Sequence, residues 1–464
     1  MASSRRPAPE PGTAQVHEAI GRWLARLPGE SRILVATSGG LDSIVLLDAL
    51  ARLVPASRLH VGHVDHALQS ESAGWAAFVV ARARAHGLES SVRRLAGRPG
   101  PGESIEAWAR AARYAALAEM ARNAGCDVVA CAHHADDQVE TLLIALGRGA
   151  GLDGLAAMAP VRPARADTDG PAVHRPLLAL PRAALEAWAR ERRLAFVEDP
   201  SNRDCRFTRN ALRHRALPAL EAAMPGFRIG ALRAIEHVVQ AQALLRELAV
   251  DELRRLAAAD GRLDATGLAG LGEARQALVL RTWLEGQGLP APSAARLADW
   301  RRQLMRAGGP PVRLPHAGVW LCRYRDRVWL ESDGAEADPA PVHWRWRGEA
   351  SLALPGLDGD LRILPGGPLP GDWLRSQPWV VRRARGGDRL RLAAGRPSRT
   401  MKNLWQERGV PPWLRPRLPV VEVGGRVVFA AGFGCAVAER APAGQGVGLR
   451  FEPREADDPR RTWL

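Results

Sequence analysis

The chain has 464 residues, 46% of them hydrophobic and 25% charged, which is typical of a globular protein of several domains and excludes a disordered one. Lys and Arg outnumber Asp and Glu by 65 to 50, and the net charge of +15 predicts a polyanionic partner, most simply nucleic acid. The five cysteines form no C-x-x-C pair, which excludes a disulfide framework, a cysteine zinc site of the usual spacing and a C-x-x-C redox pair. No apolar run reaches the roughly 18 residues of a membrane span, and we expect a cytoplasmic protein without a membrane segment.

The first half of the chain alternates strands with helices. Residues 1–15 are predicted to be disordered, and a helix is predicted over Val16–Leu27. The predicted strands are Arg32–Ala36, Arg58–Val64, Ser90–Leu95 and Asp127–Ala132. The predicted helices between and after them are Ile44–Leu50, Trp75–His86, Ser104–Asn123 and Asp136–Leu146. This alternation predicts an α/β fold with a doubly wound parallel sheet that is covered on both faces.

The second half has a different character. Residues from Pro218 to about Ala307 are rich in Ala, Leu and Arg and predict helices, whereas residues 308–375 are rich in Pro and Gly, with strand-like pieces at Val319–Tyr324 and Val328–Glu331. Residues 376–452 predict a small α+β domain with strands at Val380–Arg383, Val420–Val423 and Arg426–Ala430 and a helix at Thr400–Glu407. We therefore predict a first domain over 16–217, a helical domain over 218–330, a linker over 331–375, a C-terminal domain over 376–452 and a tail over 453–464.

A glycine-rich loop follows the first predicted strand and precedes a helix. Its glycines let the backbone pass close to a phosphate, and the helix N-terminus offers unpaired N–H groups. An aspartate beside an anion suits a Mg²⁺ ligand or a residue that fixes the loop. The loop is neither a Walker A loop nor a G-x-G-x-x-G loop, and a plain glycine turn is the alternative. We predict a phosphate site made by Ser38, Gly39, Gly40, Leu41, Asp42 and Ser43, with Asp42 as the metal ligand.

Two further segments have both a structural and a functional interpretation. HVDHAL, from His63 to Leu68, follows the second strand and is also what a solvent-facing strand end would look like. Arg110 and Arg113 are three residues apart on a predicted helix, so they share a face that is either a solvated basic stripe or a phosphate contact. Neither segment decides the function by itself.

Acidic residues gather where the fourth strand meets the next helix. Asp136, Asp137 and Glu140 converge on one side of that helix, at the sheet edge where ligands bind in open α/β sheets. Acids in a first helical turn also favour the helix dipole and caps. Because three close acids repel one another, a cation is the better explanation: Mg²⁺ or the ammonium of a substrate.

The sequence resembles known families through these segments. SGGLDS resembles the loop of the PP-loop ATP pyrophosphatases, which cleave ATP between the α- and β-phosphates and adenylate a carbonyl oxygen. With HVDHAL, ARAARY, AHHADDQVET, GRGAGLDGL, RPLL and EDPSN, the stretch from about Ile33 to Leu220 resembles the tRNA(Ile)-lysidine synthases. Segments Arg385–Leu390 and Lys402–Pro411 resemble the C-terminal domain of that family.

The resemblance implies a fold, an activity and partners. The first domain would be an adenine nucleotide alpha hydrolase-like catalytic domain, residues 218–330 would bind substrate, and residues 376–452 would bind tRNA. ATP with Mg²⁺ would adenylate the C2 carbonyl oxygen of the wobble cytidine, position 34, of a tRNA-Ile with a CAU anticodon. The amine of free L-lysine would then displace AMP and form lysidine, switching codon reading from AUG to AUA. A homodimer is a further expectation.

The resemblance also implies roles for individual residues. The loop and His63 would bind ATP, with Asp42 taking part in catalysis, and Arg113 and His133 would give cationic help to the leaving pyrophosphate. A lysine ammonium must lose a proton before attack, so Asp137 and Glu140, with Asp136 next, would bind it and take that proton, in an order that the sequence leaves open. Arg148 lies on the Gly-rich segment 147–154, which would either contact the substrate as a flexible loop or be a plain linker. Four more residues would either close the first domain or touch tRNA: Asn202, Arg209, Asn210 and Arg213.

The chain departs from the family pattern in two places. Lys402 is the single lysine where the family commonly has two adjacent basic residues, although Arg399 could supply the charge, and an insert covers about Pro163–Val173.

The main alternative is another PP-loop tRNA-modifying enzyme with a different nucleophile; a thiolase with paired cysteines lacks support here. A metal-dependent phosphohydrolase built on the histidines lacks the usual His-Asp dipeptide, and a catalytically dead tRNA-binding protein would not need an intact SGGLDS.

Overall fold

The computed structural model describes residues 11–65, 72–95, 97, 100, 105–164, 170–258, 260–306, 308–332, 340–437 and 446–454. The chain forms two compact units, Met1–Leu244 and Leu245–Leu464. In the part of the chain that the structure describes, no helix is both long and apolar enough to span a bilayer. All five cysteines are free, as predicted.

The N-terminal unit follows the predicted alternation of strands and helices. Its elements in chain order are α1 (Pro11–Leu24), β1 (Ile33–Ala36), α2 (Leu41–Leu53), β2 (Leu59–Asp65), α3 (Ser72–Ala85), β3 (Glu89–Arg94), α4 (Ile105–Asn123), β4 (Val128–Cys131), α5 (Ala135–Gly147), α6 (Leu152–Leu155), β5 (Val161–Arg162), β6 (Ala172–His174), α7 (Arg182–Glu191), α8 (Thr208–Ala211) and α9 (Leu217–Ala223). A long helix, α10 (Phe227–Leu256), continues into the second unit.

The N-terminal unit is built on a six-stranded sheet in the order β3-β2-β1-β4-β6-β5. All neighbours pair in parallel except β5, which runs antiparallel to β6. The central strands are buried because helices cover both faces, so β1 is an apolar run that ends directly before the glycine-rich loop. The parallel strands β1, β2, β4 and β6 therefore present their carboxyl ends, and the residues that follow them, at one edge of the sheet.

The start of helix α1 differs from the sequence prediction, and the structure places the insert. Helix α1 starts at Pro11, so residues 11–15 are helical and the prediction of disorder there is wrong; residues 1–10 lie outside the described part. Tertiary packing explains the extension, because Val16 and Ile20 are fully buried and α1 packs on α7. The insert at about Pro163–Val173 covers the connection between the antiparallel strands β5 and β6 and the first two residues of β6, with residues 165–169 outside the described part.

The C-terminal unit is mostly antiparallel. After α10 come β7 (Leu263–Asp264), α11 (Ala265–Gly270), α12 (Glu273–Gly286), α13 (Ala294–Leu304), β8 (Val312–His316), β9 (Val319–Tyr324), β10 (Arg327–Ser332), β11 (Val342–Trp344), β12 (Ser351–Leu354), β13 (Gly359–Pro370), α14 (Gly371–Ser376), β14 (Trp379–Arg383), β15 (Arg389–Leu390), β16 (Arg399–Thr400), α15 (Met401–Arg408), β17 (Pro419–Val423), β18 (Arg426–Ala430), β19 (Gly434–Cys435) and β20 (Gly446–Pro453). The predicted helix and strands of residues 376–452 are present.

The strand-like pieces predicted at Val319–Tyr324 and Val328–Glu331 are confirmed as β9 and β10, but sheets extend further than the sequence suggested. Strands β7 to β10 form a four-stranded sheet, so the region 218–330 is not wholly helical. The expected linker over 331–375 is also wrong, because β11 pairs with β14 and β13 pairs with β20. These strands bury Leu361 and Leu369 in one core with Trp379 and Val420, and this burial outweighs the high local content of Pro and Gly.

Candidate active site

The glycine-rich loop is held in shape by its own serines. The Oγ of Ser43 accepts hydrogen bonds from the backbone N–H groups of Ser38 and Gly39, each at 3.2 Å, and donates to the carbonyl oxygen of Gly40 at 2.9 Å. Gly39 has φ +95°, a left-handed conformation that side-chain-bearing residues avoid. Gly40 is the N-cap of α2 and has no side chain to cap it, so the first N–H groups of the helix remain available to an anion.

Asp42 lies in the first turn of α2, next to a histidine from the neighbouring strand. Its Oδ2 is 3.6 Å from Nε2 of His134 and 3.8 Å from Nη1 of Arg182. Its other oxygen, Oδ1, is buried and accepts no hydrogen bond. An unengaged carboxylate oxygen beside a phosphate loop suits Mg²⁺, which typically binds one or two carboxylates together with substrate phosphates. Among the described residues, no group of three or more His, Cys, Asp and Glu side chains is arranged to hold a metal ion.

His134 lies at the centre of the predicted acidic cluster. It is 1% exposed, and its Nε2 is 3.6 Å from Oδ2 of Asp42 and from Oδ2 of Asp137, while Nδ1 is 3.7 Å from Oδ2 of Asp136. The structure therefore brings Asp42, Asp136 and Asp137 together around one imidazole. From the sequence, this histidine has a role only in the alternative of a metal-dependent phosphohydrolase.

Each acid of the cluster is also held by arginine or by backbone N–H groups. Both oxygens of the fully buried Glu140 accept hydrogen bonds from Arg213, at 2.7 and 3.1 Å, and Arg209 lies 3.2 Å away. Asp136 accepts hydrogen bonds from the backbone N–H of Arg182 at 2.9 Å and from the guanidinium of Arg228.

Asp137 is the least fully engaged of the three. Its Oδ2 accepts the backbone N–H of His134 at 3.0 Å, but its Oδ1 has only a long contact of 3.4 Å with Arg213. Burial by itself raises the pKa of this carboxyl. The effect of burial is outweighed by the charge interaction and the backbone N–H of His134, together with the charge interactions of His133 and Arg209, so the pKa lies below its usual range. Asp137 is therefore an ionised carboxylate with one oxygen open to a cation.

His133 follows β4 and His63 lies within β2, and these two strands lie on either side of β1. Burial, together with the positive charges of Arg175 and Arg113, lowers the pKa of His133 to about 3, although the negative charge of Asp137 acts to raise it. His133 is consequently neutral near pH 7, which contradicts its expected role as a cation. Burial also lowers the pKa of His63, whose Nδ1 lies 2.8 Å from the carbonyl oxygen of Thr37 and so donates to it. This contact fixes the ring beside the start of the loop.

Arginines line the side of the site next to β4 and β6. Arg113 and Arg110 extend from α4 over the buried ring of Tyr114, with guanidinium carbons 5.5 and 5.6 Å from its centre. Arg162 from β5 lies 4.0 Å over the same ring. Arg110 is exposed and Arg113 is half-buried, so the phosphate contact of these two arginines stays a prediction.

Other predicted residues lie apart or have structural contacts. Arg148 is the exposed C-cap of α5, about 16 Å along the helix from Asp137, so the structure does not bring it to the acidic cluster. The Asn210 amide donates to the carbonyl oxygens of Ser201 and Asp204, and the carbonyl oxygen of Asn202 lies 2.9 Å from His214. Together with the pairing of Arg209 and Arg213 to Glu140, these contacts favour the domain-closing interpretation.

Sequence reasoning missed the arginines that come from distant segments. Arg162, Arg182 and Arg228 were not singled out, because nothing in their local sequence distinguishes them from other surface arginines. Arg175 had a signal: it lies in the RPLL segment directly after a strand and is 5% exposed. In the C-terminal unit, Arg399 forms an exposed ion pair with Glu407, so it is not an unpaired substitute for a second lysine beside Lys402.

Comparisons with known proteins identify the domains of the chain. Family models match residues 13–220 as a PP-loop domain, residues 263–329 as the TilS substrate binding domain and residues 380–451 as the TilS substrate C-terminal domain. A solved U34-tRNA thiolase from Methanococcus maripaludis is 17% identical with a TM-score of 0.42, covering 49% of this chain and 80% of its own, which is too distant to support a conclusion.

Curated relatives match over nearly the whole chain. A tRNA(Ile)-lysidine synthase from Burkholderia pseudomallei is 40% identical, covering 90% of this chain and 92% of its own length. The corresponding enzymes of Azoarcus sp. and Methylococcus capsulatus are 41% and 39% identical, covering 92% and 91% of this chain and 93% and 96% of their own lengths. With all three domain models matched in order, this chain belongs to the tRNA(Ile)-lysidine synthase family.

Proposed function

We propose that this protein ligates free L-lysine to C2 of the wobble cytidine of a tRNA-Ile with a CAU anticodon, through an ATP-adenylated cytidine. The observation that carries the proposal is the convergence of the phosphate loop, Asp42 and the arginine-held acids at one sheet edge, in a member of this family. A cytoplasmic location belongs to the proposal, because ATP, lysine and tRNA meet there.

The loop from Ser38 to Ser43 would hold the phosphates of ATP. Its glycine backbone and the uncapped start of α2 supply N–H donors, and His63 borders the loop from β2. Asp42 would hold Mg²⁺ through its unengaged oxygen, and the ion would supply charge neutralisation for the departing pyrophosphate. Arg113 would add fixed positive charge to the same region, while His133 takes part only as a neutral hydrogen-bonding group.

Asp137 would bind the ammonium of lysine. Among Asp136, Asp137 and Glu140 it has the least engaged oxygen, and its lowered pKa keeps it anionic but makes it a poor proton acceptor. Glu140 supports the site by holding Arg209 and Arg213, and a direct contact with lysine requires those arginines to rearrange. Asp136 accepts a hydrogen bond from the backbone N–H of Arg182 and pairs with Arg228, so it would have a structural role in the cluster.

The RNA would bind mainly through charge. The net charge of +15 favours a polyanion, and an anticodon-loop base is single-stranded, so it can enter the site without breaking a duplex. Arg148 at the exposed end of α5 and Lys402 on α15 are proposed to contact tRNA outside the reaction centre. A homodimer stays a prediction, which sedimentation would test.

The experiment is lysine incorporation with matched RNA controls. Purified protein, ATP, Mg²⁺ and radiolabelled lysine are incubated with an unmodified tRNA-Ile(CAU) transcript or its C34U variant, and acid-precipitable label is counted. We expect label only with the cytidine. Pyrophosphate release without label would replace lysine by another nucleophile, and tRNA binding without pyrophosphate would indicate a catalytically dead binder. In the Asp42→Ala variant we expect loss of pyrophosphate release with tRNA binding retained.

A further inference from the structure

A group of arginines around a buried tyrosine exceeds what the proposed chemistry uses. Tyr114 is 7% exposed, and its ring is covered by Arg162 at 4.0 Å and by Arg110 at 5.6 Å from the ring centre. Arg175, which is 5% exposed, acts electrostatically on Arg110. We call these four residues the Tyr114 cluster; Arg113 borders it and belongs to the reaction centre.

The cluster concentrates positive charge without an acid to balance it. Among the described residues, no carboxylate forms an ion pair with Arg110, Arg162 or Arg175, whereas Arg209 and Arg213 close by are paired with Glu140. Arg175 donates one hydrogen bond, from Nη1 to the carbonyl oxygen of Ala159. Burial, with the neighbouring arginines, lowers the pKa of Arg110. Gathering like charges in this way is unfavourable unless an anion binds among them.

The polar atoms of the cluster also lack partners. The Oη of Tyr114 and the Nε atoms of Arg162 and Arg175 are buried and make no hydrogen bond. Leaving such groups unsatisfied costs about 1–3 kcal/mol each. All three donate hydrogen, so the missing ligand has to supply acceptor oxygens. A phosphate group carries both the negative charge and the acceptor oxygens that these donors require.

The position of the cluster separates it from the proposed ATP site. ATP is assigned to the loop after β1 and to His63 at the end of β2, whereas Arg175 follows β6 and Arg162 lies on β5. In the sheet order β2-β1-β4-β6-β5, strand β6 lies two strands beyond β1, about 10 Å away. Arg162 and Arg175 are therefore on the side of the loop opposite to His63.

We propose that the Tyr114 cluster is a phosphodiester pocket that seats the RNA backbone next to the reacting base. The burial gradient fits this ligand, because Arg110 is exposed at the rim, Arg162 is half-buried and Arg175 forms the floor. A bound backbone phosphate would place the neighbouring base close to the loop and to Arg113. The inference rests on the proposed function only in taking the polyanion to be RNA. The phosphates of ATP have the same chemistry and are the alternative source.

The test compares Arg162→Gln and Tyr114→Phe with a matched charge control. Arg84→Gln removes an exposed arginine from the last turn of α3, at the opposite edge of the sheet. Filter binding of the tRNA-Ile(CAU) transcript is measured over a range of KCl concentrations, and binding of a non-hydrolysable ATP analogue is measured without RNA.

We expect Arg162→Gln to raise the Kd for the transcript about tenfold and to reduce the salt slope by about 0.7, the value of one single-strand phosphate contact. Tyr114→Phe should raise this Kd about threefold, the size of one weak hydrogen bond. Arg84→Gln should leave both values unchanged, and ATP-analogue binding should stay at the wild-type level in all three variants. In steady-state lysine incorporation, KM for tRNA should rise in the two cluster variants while kcat is retained.

Two results overturn the inference. A raised Kd for the ATP analogue with unchanged RNA binding would assign the cluster to the nucleotide. Unchanged binding of both ligands in variants with a wild-type circular dichroism spectrum would make the cluster structural. Failure of the proposed function gives a different pattern, because wild-type protein would then incorporate no lysine even though its RNA affinity still depends on Arg162.

Discussion

The buried carboxylate of Glu140 offers the sharpest test of how the acidic cluster is held. Arg213 donates two hydrogen bonds to it, at 2.7 and 3.1 Å, and the Glu140 side chain is 1% exposed. Charge-assisted hydrogen bonds contribute about 1.5 kcal/mol or more each. Since the Arg213 side chain keeps 28% of its exposure, we discount the sum and expect a coupling energy of about 2 kcal/mol.

A double-mutant cycle of Glu140→Gln and Arg213→Met measures this coupling. The assay is amide hydrogen exchange of α5, which reports the local opening free energy even though the chain has two units. A change of 2 kcal/mol corresponds to about 30-fold faster exchange. We expect Glu140→Gln to accelerate exchange by about this factor. The exchange rate of the double variant should be nearly the same as that of Glu140→Gln alone.

Glu186→Gln is the control for this cycle. Glu186 pairs with Arg182 at 3.0 Å, but both side chains are more than a third exposed, so the expected effect is below about 0.5 kcal/mol. Additivity of the Glu140 and Arg213 effects within about 0.5 kcal/mol would refute the proposed anchor. An unchanged exchange rate with a raised KM for lysine would instead show that Glu140 contacts the substrate directly.

Three further predictions concern the loop, the histidine at the sheet edge and the core. Gly39→Ala, at φ +95°, should lower the free energy of unfolding by about 1–2 kcal/mol, because a side chain disfavours this left-handed conformation. Gly40→Ala, at φ −72°, should change it by less than about 0.5 kcal/mol. Equal urea midpoints for the two variants would contradict the cost assigned to the left-handed conformation. Folding depresses the pKa of His133 from 6.5 to about 3, so between these pH values the unfolded chain binds a proton that the folded chain does not, and the free energy of unfolding should fall as pH drops from about 6.5 toward 3. His133→Asn should flatten this pH dependence in chemical denaturation. The same pH profile in the variant and the wild type would contradict the role of His133. Trp188→Phe removes a 2.9 Å hydrogen bond to the buried Asp48 and should cost about 1–3 kcal/mol in thermal unfolding. An unaltered Tm would show that the basic side chains around that carboxylate, Arg52, Arg192 and His86, satisfy it without the indole.

Much of the fold and of the loop could be predicted from the sequence because both depend on local patterns. Short apolar strands alternating with helices specify a parallel sheet, and a glycine turn between strand and helix specifies where a phosphate binds. The strands and helices from Ile33 to Gly147 follow that prediction closely. The C-terminal domain gives a similar example: a helix is predicted to start at Thr400, and Thr400 is the N-cap of α15.

Tertiary structure decided what depends on residues distant in sequence. The helical start at Pro11 and the strands within 331–375 exist because partners elsewhere bury their apolar faces. The electrostatics of the site have the same origin: Glu140 is occupied by Arg213 from 73 residues away, and burial among arginines makes His133 neutral. Sequence spacing places acids and histidines at a sheet edge, but their charge states and free atoms follow from which distant side chains pack beside them.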